Sequence, residues 1–167
     1  MADETRKLGA SLRTNRLLAV VTSLAVAAGA AQAAQGQPSA AHPCTLISNK
    51  DVARIIGPGG HVEVGGSTCR LHRGKPFVGV ITINPETRSS FLAFRRRVFK
   101  NPSGTVRDVG GIGERAYQRI YAASYHPAVY HNVFAFVNGH RLVVTSHKDF
   151  FTAGQARRIA KIVARGI

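Results

Sequence analysis

The sequence predicts an α+β domain in which helices pack on an antiparallel sheet, with one disulfide, behind an N-terminal signal peptide. Three observations lead to this fold class. Asn138-Gly139 separates two apolar, β-branched runs, which is a strong hairpin signature. Helical periodicity follows Thr152, and two cysteines follow an apolar N-terminal stretch. Strands grouped in ribbons, with helices mostly at the ends, favour α+β over an alternating parallel fold.

Residues 1–33 are predicted to form a signal peptide. Basic residues precede an apolar run over residues 17–30, and Ala31-Gln32-Ala33 fits the small-residue pattern of a signal peptidase site. A run of about 14 residues is shorter than the ~20 that a membrane-spanning helix needs. We therefore expect cleavage after Ala33, no transmembrane span in the mature form, and a periplasmic or extracellular location.

Cleavage would leave residues 34–43 as a disordered lead-in and residues 44–167 as a single α+β domain. The whole chain of 167 residues has 23 basic and 8 acidic residues, a formal charge of +15. After the cut, 19 basic and 6 acidic residues remain, so the charge is +13. The length nearly excludes a two-domain enzyme, and the single apolar run excludes a polytopic membrane protein.

The two cysteines are predicted to form a structural disulfide. Cys44 and Cys69 allow only one intramolecular pairing, and an exported chain meets oxidising conditions. A catalytic thiol pair is the competing interpretation, but the C-x-x-C spacing of redox sites is absent. The bridge would connect the start of the domain to an early strand.

The first half of the domain is predicted to hold one helix and three short strands. Ser48 caps the helix, whose apolar residues Val52, Ile55 and Ile56 share one face. The glycine-rich segment 57–60 ends it. The strands are the segments 61–64, 68–71 and 78–83.

A second helix is predicted over residues 87–100, where Phe91, Phe94 and Val98 recur one turn apart. A glycine-rich break at 110–113 follows, and residues 114–122 are expected to be extended. The last helix is expected to begin at Thr152, with Gln155 as its capping partner, and to end at about Arg165. Its inward face would consist of Ala156, Ile159, Ala160 and Val163.

The predicted hairpin joins residues 133–137 to residues 140–146. Its register would pair Val137 with His140, Ala135 with Leu142, Val133 with Val144 and His131 with Ser146. One face is aliphatic and suits a helix-covered core. The other face carries Phe134, Phe136 and Arg141, together with Val143 and Thr145. We interpret it as a half-open candidate binding surface, with a sheet covered by helices on both faces as the alternative.

The outer face of the last helix is a second candidate surface. Arg157, Arg158, Lys161 and Arg165 are predicted to face outward. A charge of +13 should attract polyanions, such as anionic envelope polymers, lipid head groups or an acidic protein. A merely solvated helix face is the alternative. Export disfavours a native nucleic-acid partner.

Four short segments carry a resemblance to known proteins: Pro43-Cys44-Thr45-Leu46-Ile47, Asp51-Val52-Ala53, Cys69-Arg70-Leu71 and Gly111-Ile112-Gly113-Glu114-Arg115-Ala116-Tyr117. In these segments the chain resembles certain small exported bacterial domains of unknown function, in which a cysteine precedes a short helix and a second cysteine lies in the next strand. The last segment is similar to their Gly-Leu-Gly-Asp-x-Ala-Tyr segment. Many of them are lipoproteins, whereas this sequence has no lipidation cysteine behind a small-residue box. The resemblance supports the fold and implies no catalytic residues.

Motifs for catalysis or cofactor binding are weak. Residues 111–116 fit G-x-G-x-x-A, but the alternating continuation predicts a strand, where a nucleotide site needs a helix. The histidine spacings match no zinc motif, and Ser146, His147 and Asp149 are only sequence neighbours. We predict no catalytic residues, metal or cofactor. The sequence thus indicates a non-enzymatic binding or envelope-associated module, with a small secreted hydrolase of unlocated active site as the alternative.

Overall fold

The computed structural model describes residues 41–100, 104–122 and 129–167. The predicted signal peptide and residues 34–40 of the predicted lead-in lie outside this part of the chain. The helical elements are a 3-10 helix (Pro43–Leu46), α1 (Asn49–Ile56), α2 (Arg88–Lys100) and α3 (Ala153–Ala164). The strands are β1 (Gly60–Gly65), β2 (Thr68–Arg73), β3 (Phe77–Pro85), β4 (Thr105–Asp108), β5 (Arg115–Ala122), β6 (Val129–Val137) and β7 (His140–His147).

The strands form one antiparallel sheet in the order β1-β2-β3-β7-β6-β5-β4. Two meanders, β1–β3 and β4–β7, meet where β3 pairs with β7. The predicted hairpin register is confirmed at all four pairs, from Val137 with His140 to His131 with Ser146. Asn138 and Gly139 form the turn with φ of 45° and 75°, which glycine and asparagine tolerate best. The α+β class and the antiparallel sheet are therefore confirmed.

The main core lies between one face of the sheet and helices α1 and α3. The inward residues predicted for α3 are all buried there, and they meet the aliphatic face of the β6–β7 hairpin. Thr152 and Gln155 form the predicted capping box. The Gln155 side chain also donates a hydrogen bond to the carbonyl of Ile55, which ties α3 to the end of α1.

Helix α2 covers part of the opposite face of the sheet, so that helices pack on both faces, the alternative given above to a half-open surface. The Phe91 ring lies 5.7 Å from that of Phe136, and the Phe94 ring lies 5.8 Å from that of Phe134. Phe134 is 8% exposed and Phe136 is 4% exposed. The alternation along β6 places these phenylalanines on this face, and α2 supplies aromatic partners that bury them.

The predicted disulfide between Cys44 and Cys69 is present, with the two Cα atoms 5.0 Å apart. It joins the 3-10 helix to β2. His42, inside the predicted lead-in, accepts a hydrogen bond from the Cys44 amide and also contacts the carbonyl of Gly66. The ordered domain therefore begins before Cys44.

Strand β4 was not anticipated from the sequence, because Thr105–Asp108 is short and polar. It pairs with β5 and forms one edge of the sheet. No helix in the described part of the chain is long and apolar enough to cross a membrane.

Candidate anion-binding groove

A cationic groove lies at the β4 edge of the sheet, between α3 and the loop that joins β4 to β5. Its cavity has a volume of about 520 Å³. Arg107 comes from β4, and Arg157, Arg158 and Lys161 come from α3. We call this cavity the α3 groove. Four cations from two elements thus converge on one concave surface.

Arg107 is held in place by a buried neutral amide. Gln118 on β5 is completely buried, and its Oε1 accepts hydrogen bonds from Nε of Arg107 at 3.2 Å and from Nη2 at 3.0 Å. The Gln118 amide nitrogen donates to the carbonyl of Ala153 at 2.9 Å, at the start of α3. Because the partner is uncharged, the guanidinium is oriented while its charge stays uncompensated.

The single carboxylate that lines the α3 groove is already occupied. Asp108 accepts hydrogen bonds from Nε and Nη2 of Arg95 on α2, the former at 3.0 Å. This bidentate pair turns the Asp108 charge toward the α2 side of the loop. A second cavity of about 550 Å³ lies on that side, where Arg88 and Glu114 also pair at 3.9 Å. Two of its three arginines are paired there, Arg95 with Asp108 and Arg88 with Glu114, whereas none of the four cations of the α3 groove has a carboxylate partner in the described residues.

The loop between β4 and β5 is rich in glycine: Gly110 lines both cavities, whereas Gly111 and Gly113 line the second cavity. Gly113 has φ of 55°, and a Cβ at this position would lie 2.4 Å from the carbonyl oxygen of Phe136, so only glycine fits. Gly111 has φ of 72° and is exposed. A Cβ there would lie 3.8 Å from Nζ of Lys161, so the Lys161 amine stands against the loop backbone.

The groove continues along α3 into a third cavity of about 310 Å³. Arg165 and Arg54 join Arg158 and Lys161 along this stretch. Arg54 pairs with Asp51 at 2.7 Å. From Arg157 to Arg165 the helix rises about 12 Å, at 1.5 Å per residue. The cations therefore form a track of about this length along α3, which we call the α3 track.

The carboxylates of the described chain are engaged elsewhere. Asp and Glu residues there all have a basic partner, which for Asp149 is the His147 imidazole, and none of these partners is an α3 cation. Because these carboxylates have basic partners outside α3, no carboxylate of the described residues neutralises the groove cations. The carboxylates are Asp51, Glu63, Glu86, Asp108, Glu114 and Asp149.

The structure separates the two predicted candidate surfaces. Arg157, Arg158, Lys161 and Arg165 all line the α3 groove or its continuation. Phe134 and Phe136 are buried on the opposite face of the sheet. Arg141 lies on that face too, 3.6 Å from Glu86 and over the Phe94 ring at 5.7 Å. These three residues therefore lie on the opposite face of the sheet from the α3 cations.

Sequence reasoning missed Arg107, Arg54 and Gln118. Arg107 lies in strand β4, which was not predicted. Gln118 is polar, and a polar residue is not expected to be buried. The alternation of β5 could have suggested that Gln118 shares a face with Ala116. It could not have shown that Arg107 is the residue opposite, since that depends on the β4–β5 register.

Other candidate chemistry does not assemble. Ser146 is buried and donates to the carbonyl of His131, whereas the next residue, His147, lies on the other face and contacts Asp149 at 3.4 Å. Burial lowers the pKa of the His131 imidazole, and the nearby charge of Lys148 adds to this effect. No group of three or more His, Cys, Asp or Glu side chains in the described residues could hold a metal ion.

The glycine motif at residues 111–116 leads into strand β5 rather than into a helix. It therefore lacks the helix N-terminus that meets a pyrophosphate in dinucleotide-binding folds. Comparison with protein-family models, with curated proteins and with solved structures finds no match for this chain.

Proposed function

We propose that this protein is an exported, non-enzymatic binding module that holds a linear anionic polymer of the cell envelope in the α3 groove. The observation that carries the proposal is the convergence of Arg107, Arg157, Arg158 and Lys161 on one cavity whose only carboxylate is paired with Arg95. Clustered cations of this kind attract polyanions through long-range fields. The Cys44–Cys69 disulfide is compatible with export into an oxidising compartment.

A polymer suits the groove better than a membrane surface does. Lipid-binding surfaces combine cations with exposed apolar side chains that enter the bilayer interface. The large exposed apolar residues of the described chain are Val64 and Phe77, on β1 and β3 toward the other edge of the sheet. The cavities along α3 are lined by cations over their whole length, and an extended polymer chain could lie along them.

The first experiment compares two variants of equal charge. One replaces the four α3 cations Arg157, Arg158, Lys161 and Arg165 with Gln. The control replaces four exposed cations outside the groove with Gln, namely Lys50, Lys75, Arg96 and Arg97. Binding of the purified protein to an acidic polymer is measured by titration at low and at physiological salt, and the melting temperature verifies folding.

The proposal expects the affinity of the unmodified protein to fall at least about tenfold over that salt range, because bound counterions are released. The α3 variant should lose most of its binding, and the control variant should keep most of it. Equal losses in the two variants would show a nonspecific response to net charge and would overturn the groove as the binding surface. Binding to anionic vesicles but to no soluble polymer would overturn the polymer as its occupant.

A further inference from the structure

We infer that the α3 groove selects phosphate groups, and that its polymer is charged by phosphates rather than by carboxylates. This inference rests on the proposed function and adds the chemical class of the ligand. It is carried by the placement of donors on both walls of the groove. Arg107 stands on the sheet side, and Arg157, Arg158 and Lys161 stand on the helix side.

The sheet-side donor is fixed before a ligand arrives. Gln118 engages Nε and Nη2 of Arg107, so that Nη1 keeps its N–H groups for a ligand. An arginine already held in one orientation loses less conformational entropy on binding than a free surface arginine does. Arg107 is therefore suited to recognise one anionic group at a defined place, beyond adding to the general field.

The helix-side donors approach from a different direction. Lys161 lines the groove from α3, and its Nζ stands close to the β4–β5 loop at Gly111. Arg157 and Arg158 lie one turn earlier on α3. A ligand in the groove can thus meet Lys161 from the helix side and Arg107 from the sheet side.

Tetrahedral and planar anions differ in how they use such an arrangement. The non-bridging oxygens of a phosphodiester lie out of a common plane with its ester links and accept hydrogen bonds from several sides. A carboxylate holds both oxygens in one plane, and a single guanidinium fork can satisfy it. Donors on facing walls, with no carboxylate left to neutralise them, favour the phosphate. The α3 track, about 12 Å long, leaves room for a further phosphate of the same chain.

The test uses two soluble polymers with the same number of charges per chain, inorganic polyphosphate and polygalacturonate, with phosphatidylglycerol vesicles as a third probe. The unmodified protein is compared with Arg107→Gln and Lys161→Gln, and with Arg96→Gln as an exposed control of equal charge. We expect polyphosphate to bind about tenfold tighter than polygalacturonate, because one or two additional charge-assisted hydrogen bonds would raise the affinity by this amount. Arg107→Gln and Lys161→Gln should each remove most of this preference, and Arg96→Gln should leave it unchanged.

The outcomes separate this inference from the proposed function. Equal affinity for both polymers would overturn the phosphate selectivity while leaving anionic-polymer binding in place. Binding of neither polymer would overturn the proposed function itself. Binding of the vesicles alone would identify lipid head groups as the phosphate source and overturn the polymer. If Arg107→Gln lowers the melting temperature, exposed Lys161 still decides the question, since its replacement removes no contact of the core.

Discussion

The side-chain amide of Gln118 binds the guanidinium of Arg107 at 3.2 Å and 3.0 Å, from a position that is wholly buried in the sheet. Buried polar side chains need hydrogen-bond partners, and Gln118 finds its partners in a surface cation and in the first carbonyl of α3. One residue therefore couples the edge strand β4 to the helix that carries the basic track. Arg107 is thus an exposed arginine whose guanidinium is held in one orientation by a buried amide.

The first prediction concerns this coupling. Gln118→Leu should lower the free energy of unfolding by about 1–3 kcal/mol, because it leaves the Ala153 carbonyl without its partner and releases Arg107. It should also weaken polyphosphate binding, by less than Arg107→Gln does, because the released guanidinium keeps its charge. The double variant should bind no more weakly than Arg107→Gln alone, since Gln118 affects binding through Arg107. Chemical denaturation and polymer titration measure the two effects, and additive losses of affinity would contradict the coupling.

Local sequence patterns were sufficient for the hairpin and for α3. Asn138-Gly139 sets the turn, and the turn together with the period-two apolar pattern sets every pair of the β6–β7 register. Thr152 and Gln155 mark the start of α3, and its apolar spacing marks the buried face. Each of these features is encoded within a few neighbouring residues.

The groove could not be predicted in the same way, because it depends on contacts between distant segments. The four α3 cations were found from helical periodicity, but Arg107 reaches them only through the β4–β5 pairing. The burial of Phe134 and Phe136 depends on which face α2 covers. Helix periodicity shows that α2 has an apolar stripe without saying which surface receives it.

The second prediction tests the position of α2. Phe91→Ala should lower the free energy of unfolding by about 3–5 kcal/mol, since Phe91 is fully buried between α2 and the sheet. Phe77→Ala is the matched control, because Phe77 is 54% exposed and should cost about 1 kcal/mol or less. Urea denaturation compares the two variants. Similar costs for both would mean that this face of the sheet is open.

The third prediction concerns the disulfide. The pair closes a loop with a sequence separation of 25 residues, which stabilises the folded state by roughly 3–4 kcal/mol through the entropy of the unfolded chain. The native protein should show no free thiol without reductant. Reduction should lower the melting temperature by roughly 10 °C, measured by calorimetry with and without reductant. The variant with both Cys44 and Cys69 replaced by Ala should melt at the same temperature with and without reductant. Two titratable thiols in the native exported protein would contradict the structural bridge.

The fourth prediction follows from the phenol of Tyr117, which is completely buried beneath α2. Its ring stacks on Phe134 at 4.8 Å, and its hydroxyl has no hydrogen-bond partner in the described chain. Burial raises the pKa of this phenol far above its ordinary value, and the nearby charges of Arg141 and Arg119 oppose the shift only in part. The unfolded chain, in which the phenol is in water, ionises near the ordinary value of about 10.

The sign of the resulting pH dependence is fixed by this difference. Above pH ~10 the unfolded state releases the Tyr117 proton while the folded state retains it, so stability falls as pH rises, by up to about 1.4 kcal/mol per unit. Tyr117→Phe removes this contribution. Because the lost hydroxyl had no partner, the variant should be at least as stable as the unmodified protein at pH 7. Denaturation at pH 7 and above pH ~10 measures the difference between the two proteins, which should widen with pH in favour of the variant. Phenolate absorbance should show one tyrosine that ionises only on unfolding, and this step should be missing in Tyr117→Phe. Parallel stability curves for the two proteins across the alkaline range would place the Tyr117 hydroxyl in contact with water.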